Sequence, residues 1–229
     1  MLSPELLAEV KAYKMPPGAE QLLKEHPPLI IAGIAASGKN TILNYLIEHG
    51  QWRRVITHVT RQPRQGELDG RDYWFVSPNQ MLELLKQKAF IEAKVIHEDK
   101  VYGTSLKAYS AAVSQADQPI ILLDVQGVLE FATHIPGLKA VFVLPPSFDA
   151  WQARLAKRGQ STPAEDARRA RSAIAELQAV LDHPELFTLL INDEVPRVAK
   201  EIIASRTDPV VQAKNRQIAA KLLADIKRG

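Results

Sequence analysis

Leu29-Ile30-Ile31-Ala32-Gly33-Ile34-Ala35-Ala36-Ser37-Gly38-Lys39-Asn40-Thr41 is the stretch on which the fold turns. Its first four residues are a continuous apolar run, the mark of a strand buried on both faces. Ile42, Leu43, Leu46 and Ile47 then fall at helical spacing, predicting an amphipathic helix that ends near Gly50. A glycine-bearing turn between buried strand and helix points successive backbone N–H groups, and the helix N-terminus, at anionic oxygens. Gly33 and Gly38 allow the backbone to come close. Lys39 can reach the β- and γ-phosphates of a nucleoside triphosphate. Gly33, Ala36, Ser37, Gly38, Lys39, Asn40 and Thr41 are therefore read as the phosphate-binding set. The strict pattern has Ser or Thr directly after the lysine, where the hydroxyl ligates magnesium. Here Asn40 holds that place, and its amide oxygen is the candidate metal ligand; Thr41 lies one residue too far along to serve interchangeably.

Outward from this loop, short apolar runs alternate with longer amphipathic segments. Strands are expected at residues 55–57, 73–75, 120–123, 140–144 and 187–191, with a hairpin of 90–96 and 101–102 turned around Glu98-Asp99-Lys100. Helices are expected at 105–115, from Gly127, and at 148–157 and 195–205. Two more carry explicit start signals, Ser77-Pro78-Asn79-Gln80 and Thr162-Pro163. This rhythm predicts an α/β fold with a central parallel sheet. The polar, aromatic stretch between about 55 and 104 interrupts it and reads as a small substrate-binding lobe. Residues 1–28 open with the capped turn Ser3-Pro4-Glu5 and contain the breakers Pro16-Pro17-Gly18 and Pro27-Pro28. They read as a helical extension packed onto the domain.

The 229 residues suffice for one sizeable core, and 46% hydrophobic with 24% charged residues is an ordinary globular composition. The absence of cysteine excludes disulfides, thiol catalysis and thiolate metal sites. The dispersed histidines form no zinc-type spacing, which argues against a metal hydrolase. No apolar stretch approaches the ~20 residues a membrane span requires, and a signal-peptide pattern is lacking, so the expected location is cytoplasmic. Net charge is +3, concentrated in residues 206–229, where six Lys/Arg face two acids. Ile218, Leu222 and Ile226 repeat there at helical spacing, so residues 204–229 are expected to pack as a basic terminal helix rather than to bind nucleic acid.

Val59-Thr60-Arg61-Gln62-Pro63-Arg64-Gln65-Gly66-Glu67-Leu68-Asp69-Gly70-Arg71-Asp72-Tyr73-Trp74-Phe75-Val76 closely resembles the signature of guanylate kinases. More pieces follow in that family's order: Phe90-Ile91-Glu92, Tyr102-Gly103-Thr104, Asp124-Val125-Gln126-Gly127, Leu144-Pro145-Pro146-Ser147, Arg154, Arg158-Gly159, Arg169 and Ile191-Asn192-Asp193. The likeness covers residues 29–203. It implies a P-loop kinase fold with a core at 29–56 and 105–203, a GMP-binding insert at about 57–104 and a helical lid at about 154–171. The implied reaction is ATP-dependent phosphorylation of GMP to GDP, with magnesium accompanying ATP.

Residue by residue, the resemblance makes Arg61, Arg64, Tyr73 and Tyr102 ligands of the GMP phosphate. Thr57 and Glu92 read the guanine, with Thr104 assisting, and Asp124 joins the acceptor side. Lys39, Arg154, Arg158 and Arg169 stabilise the transferring group, and Asn192 lines the adenine site. The chemistry suits these roles. Arginines fork onto phosphate, tyrosine hydroxyls donate without adding charge, and a carboxylate accepts from guanine N1–H and its amine. The sequence departs from the family at two places. Asn40 replaces the hydroxyl residue, and Leu122 stands where the family commonly has a second acid two residues before Asp124. Two other readings remain: a kinase of another phosphorylated small molecule, and a non-catalytic guanylate-kinase-like module for protein recognition. The expected partners are GMP and, compatibly, further copies of the chain, with neither membrane nor nucleic acid.

Overall fold

A computed structural model describes residues 2–228 except Gln65, 97–98, 114–117, 158–161 and 205–207. Along the chain run helices α1 (Pro4–Ala12) and α2 (Ala19–Glu25), strand β1 (Leu29–Ala32), helix α3 (Lys39–His49), and strands β2 (Trp52–Arg54), β3 (His58–Val59) and β4 (Trp74–Phe75). Next come α4 (Pro78–Lys86), β5 (Phe90–Ile96), β6 (Lys100–Ser105), α5 (Leu106–Val113), β7 (Gln118–Leu122) and α6 (Val125–His134). The chain finishes with β8 (Ala140–Leu144), α7 (Phe148–Ala156), α8 (Pro163–Asp182), β9 (Phe187–Ile191), α9 (Val195–Ala204) and α10 (Pro209–Arg228). The chain divides into two compact units. One comprises Met1–Pro28, Trp52–Ile121 and Thr133–Pro136, and the other Leu29–Gln51, Leu122–Ala132 and Gly137–Gly229.

The first unit is built on a four-stranded sheet in the order β4-β3-β6-β5. Its register pairs His58 with Gly103, Val59 with Tyr102, Glu92 with Thr104 and Lys94 with Tyr102. Because side chains alternate across a strand, Val59, Tyr102, Thr104, Glu92 and Lys94 share one face while His58, Gly103 and Ala93 share the other. The second face is the dry one. Leu6, Val10, Met81, Leu82, Leu85, Phe90, Ala93 and Val101 form one buried cluster there, bringing α1 and α4 together. Each fully buried large side chain contributes on the order of 1.5–3 kcal/mol. The N-terminal extension is stitched into this unit. The Tyr13 hydroxyl donates to the Phe90 carbonyl (2.8 Å) and accepts from its N–H (2.9 Å), and the Tyr109 hydroxyl donates to the His26 carbonyl (2.5 Å). Both start signals read from the sequence are real capping boxes, Ser77 with Gln80 and Thr162 with Glu165.

One strand lies elsewhere than its pattern suggests. Residues 55–57 were expected as a strand, yet the chain is extended and paired on either side of them, in β2 and β3. Trp52 to Arg54 pair in parallel with β7, and Val55 N–H still donates to Ile120 O (2.9 Å). By Thr57 the chain has changed sheets, its carbonyl accepting from Trp74 N–H (2.9 Å). The apolar run is a crossover between two ladders. Similarly, α6 starts at Val125, two residues ahead of Gly127, because the Asp124 carboxylate accepts from the Gly127 N–H (2.7 Å) as an N-cap would. Of the expected hairpin turn Glu98-Asp99-Lys100, Glu98 lies outside the described residues, and Lys100 already belongs to β6, paired with Ile96.

The second unit carries β1, β8 and β9 side by side, all parallel, with Ile31 opposite Val141 and Phe142 opposite Leu189. All five residues of β8 are buried. After β7 the Leu123 N–H donates to Ile31 O (3.2 Å), so the chain leaves its strand beside β1. The basic terminal segment packs as α10, burying Gln212, Asn215, Ala219, Leu222, Leu223 and Ile226. Gln212 brackets β9 by accepting from Leu189 N–H (2.9 Å) and donating to Leu189 O (3.1 Å). Among the described residues, no helix is long and apolar enough to cross a membrane.

Candidate active site

The phosphate loop emerges from β1 and turns into α3 with Gly38 at the helix N-cap. Gly33 (φ +154°) and Gly38 (φ +94°) are positions no other residue fills. A Cβ on Gly33 would stand 2.5 Å from the Val143 carbonyl and 2.7 Å from Ser37 Oγ; one on Gly38 would stand 2.1 Å from Asn192 Nδ2. Ala36 is also left-handed, at φ +63°, a conformation an L-side chain adopts at a cost of about 1–2 kcal/mol. The Lys39 ammonium donates to the carbonyls of Gly33 (2.7 Å) and Ile34 (3.3 Å), which holds it over the loop. Ser37 Oγ is fully buried and, among the described residues, has no hydrogen-bond partner.

Three side chains from beyond the loop brace it. Arg154 on α7 donates to Ser37 O (3.1 Å) and Asn192 O (2.7 Å), while Asn192 Nδ2 donates to Ser37 O (2.8 Å). The indole N–H of Trp151, one helical turn before Arg154, donates to Ala35 O (2.8 Å). Beside this brace opens a cavity of about 350 Å³ lined by Ala36, Gly38, Thr41, Arg154, Asn192, Asp193 and Val195. The sequence-derived set Gly33, Ala36, Ser37, Gly38, Lys39, Thr41, Arg154 and Asn192 is thus brought together, and Asn40 lies in the first turn of α3. Arg169 is not joined to the loop; among the described residues it pairs with Asp166 (3.3 Å) on its own helix. Arg158 lies outside the described residues.

Glu176, unmarked by the sequence reading, reaches the same neighbourhood from α8. Burial pushes its carboxyl up to about 8, Lys39 pulling it down and the Asp124 carboxylate adding to the rise. Asp124, Lys39 and Glu176 therefore share one electrostatic environment. Among the described residues no three His, Cys, Asp or Glu gather into a group able to hold a metal. A closed protein cage does not fit. The Asn40 amide oxygen, in the first turn of α3, is a donor that would suit a magnesium ion carried in on a triphosphate.

In the other unit a second polar cluster occupies the sheet face opposite the apolar cluster of α1 and α4. Thr104 Oγ1 donates to Glu92 Oε1 (2.6 Å), and Thr57, Glu92 and Thr104 are all buried. A carboxylate buried beside hydroxyls is costly unless it has hydrogen-bonding work to do. Nearby, Arg61 donates through Nε to the Tyr102 hydroxyl (3.1 Å), and its guanidinium lies 5.0 Å from the centre of the Tyr73 ring. The Tyr73 and Tyr102 rings meet edge to face at 5.9 Å. Burial, with Tyr102 nearby, raises the Tyr73 hydroxyl above its ordinary pKa despite Arg54 and Arg61, so it stays a neutral donor. Glu67, another residue missed from sequence, holds Arg61 by both prongs and accepts from the Arg64 N–H (2.8 Å). Arg64 itself is exposed. Five of the acceptor-side residues read from the sequence, Arg61, Tyr73, Glu92, Tyr102 and Thr104, fall into these two contact networks.

Residues 25–205 match the family model described as guanylate kinase. A guanylate kinase of Caldanaerobacter subterraneus subsp. tengcongensis is 32% identical over 177 residues, 77% of this chain and 84% of that protein. The guanylate kinase of Schizosaccharomyces pombe is 31% identical over 179 residues, 77% and 88% of the respective chains. The crystal structure of guanylate kinase from Anaplasma phagocytophilum superposes with a TM-score of 0.57 at 22% identity, covering 80% of this chain and 88% of that one, so the P-loop kinase fold is shared. The chain belongs to the guanylate kinase family.

Proposed function

We propose that the chain is a nucleoside monophosphate kinase that transfers the γ-phosphoryl group of ATP to GMP. The observation that carries the guanine half is the buried Glu92–Thr104 pair on the same sheet face as the Arg61–Tyr102 pair. Glu92 accepts from guanine N1–H and the exocyclic amine, an arrangement adenine cannot match, and Thr57 and Thr104 complete the edge. Arg61, Arg64, Tyr73 and Tyr102 hold the acceptor phosphate, and Asp124 contributes to its environment.

On the donor side the loop amides and Lys39 cradle the triphosphate, and the cavity beside Asn192 and Arg154 takes the adenosine. Lys39, Arg154, Arg158 and Arg169 offset charge as an acceptor phosphate oxygen attacks the γ-phosphorus in line and ADP departs. The ammonium of Lys39 needs only to turn from two loop carbonyls to phosphate oxygens. Magnesium accompanying ATP would supply neutralisation of phosphate charge, and Asn40 would be the residue that holds it. We take the division of labour to be a GMP-binding insert at about 57–104, a lid at about 154–171 and a core that binds ATP. A cysteine-free chain of this kind suits the cytoplasm.

A coupled ATP assay with GMP, dGMP, AMP, UMP and CMP, with and without magnesium, tests the reading. Turnover led by GMP supports it, whereas preference for a different acceptor transfers the site to that substrate. No turnover with any acceptor, together with phosphopeptide binding, replaces the enzyme with a recognition module.

A further inference from the structure

Arg54 is a guanidinium on β2 with only 11% of its side chain exposed. Burying such a group is unfavourable unless its donors are used. Its Nη2 donates to the carbonyl of Asp72 (2.6 Å), and Nη1 stands 3.6 Å from the Asp72 carboxylate. The guanidinium carbon also lies 5.6 Å from the centre of the Tyr73 ring. Desolvation lowers its pKa, partly countered by Tyr73 and Asp72. These contacts converge on one residue. The hydrogen bond grips the peptide unit that enters Tyr73, and the charge faces the Tyr73 ring. Arg61 lies over that same ring, so the tyrosine is held by two cations. One cation comes from β2 and the other from the loop that follows β3.

We propose that Arg54 is a positioning residue of the acceptor-phosphate pocket, fixing Tyr73 through the Asp72 carbonyl and the ring face and adding positive charge behind it. The proposal rests on the reading of Arg61, Tyr73 and Tyr102 as acceptor ligands. It assigns to β2, outside the signature motif, part of the selection for phosphorylated acceptors. A guanidinium suits the task because it can donate in its plane and stack on a ring at once, which an ammonium cannot.

The test compares Arg54→Met, Arg54→Lys and Tyr73→Phe, with the Arg54→Met/Tyr73→Phe double variant, in steady-state kinetics with GMP and ATP varied separately. Arg54→Met keeps the apolar stem and should raise KM for GMP about tenfold, with kcat and KM for ATP moving less than about twofold. Arg54→Lys restores charge without the fork and should recover part of the loss. In the Tyr73→Phe background the same Arg54→Met change should raise KM for GMP by less than about threefold, since the two act through one contact. An unchanged KM for GMP in Arg54→Met overturns the proposal, as does an equal rise in both KM values. If Arg54→Met does not fold, the Arg54→Lys variant carries the same split, and an unmoved KM for GMP there is equally contrary. Wild-type protein that fails to bind GMP in calorimetry overturns the acceptor reading itself, whereas binding wild type with an unaffected Arg54→Met removes only the role of Arg54.

Discussion

Glu67 closes a two-pronged ion pair on Arg61, Oε2 to Nη1 at 2.5 Å and Oε1 to Nη2 at 2.8 Å, with the two side chains 15% and 7% exposed. The pair turns a flexible arginine into a fixed one, its Nε aimed at the Tyr102 hydroxyl. Burial alone would raise the Glu67 carboxyl, but hydrogen bonds from Arg61 and from the Arg64 N–H outweigh it and hold the pKa below the ordinary value. Glu67→Gln should therefore weaken GMP binding about tenfold and destabilise the protein by about 2 kcal/mol, read by KM and by chemical denaturation. Because the folded pKa is depressed, this stabilisation is present above pH ~4.5 and lost as pH falls through the folded value, and the glutamine variant should lack that acid-side slope.

His58 tests the dry face of the same sheet. Its Nδ1 is buried without a hydrogen-bond partner among the described residues, its ring meets Phe90 edge-on at 5.3 Å, and burial lowers its pKa to about 4 against a weaker upward pull from Asp69. A lowered histidine favours the folded state while neutral. Its contribution is complete above ~6.5, the unfolded value, and disappears between there and about 4. Thermal unfolding should show a loss of about 1–2 kcal/mol between pH 7 and 5, less than a wholly buried imidazole gives because solvent reaches part of the ring. His58→Phe should flatten that slope; an identical slope in the variant would assign it elsewhere.

Ala36 separates backbone geometry from side-chain chemistry. Replacing it by Gly relieves about 1–2 kcal/mol of left-handed strain but loses a buried methyl and adds chain entropy, each under about 1 kcal/mol, so the changes nearly cancel. Ala36→Val meets the same φ of +63° with a β-branched side chain and should cost about 2–3 kcal/mol. Melting temperatures of the two variants make the comparison.

On the donor side, Lys39→Ala should lower phosphoryl transfer by orders of magnitude while circular dichroism keeps the wild-type spectrum, since the bonds its ammonium donates to the Gly33 and Ile34 carbonyls are side-chain contacts outside the helix and sheet ladders. Gly38→Ala should fail differently. Its Cβ would collide with Asn192 Nδ2 at 2.1 Å, opening the Asn192–Ser37 brace and raising KM for ATP. Near-normal turnover by Lys39→Ala would remove that lysine from the mechanism.

Much of this was legible in the chain because it is local. The glycine loop between an apolar run and an amphipathic helix, and the boxes Ser77–Gln80 and Thr162–Glu165, are written in consecutive residues. What was hidden depends on partners far away. Residues 55–57 look like a strand because an apolar run cannot reveal that its neighbours change from Ile120 to Trp74 partway along. Trp151 is an unremarkable helix aromatic until its indole N–H meets Ala35 O, 116 positions distant. Nothing in the neighbouring sequence marks Arg54 as a partner of Asp72 and Tyr73, or Glu176 as a neighbour of Lys39 and Asp124.

The central claim is transfer of a phosphoryl group to GMP, and the most direct measurement is chromatographic analysis of products from ATP and GMP incubated with magnesium and the purified chain. The account predicts GDP and ADP formed in equal amounts, with AMP in place of GMP giving far less product. ADP and inorganic phosphate without GDP, or no consumption of ATP, would contradict it.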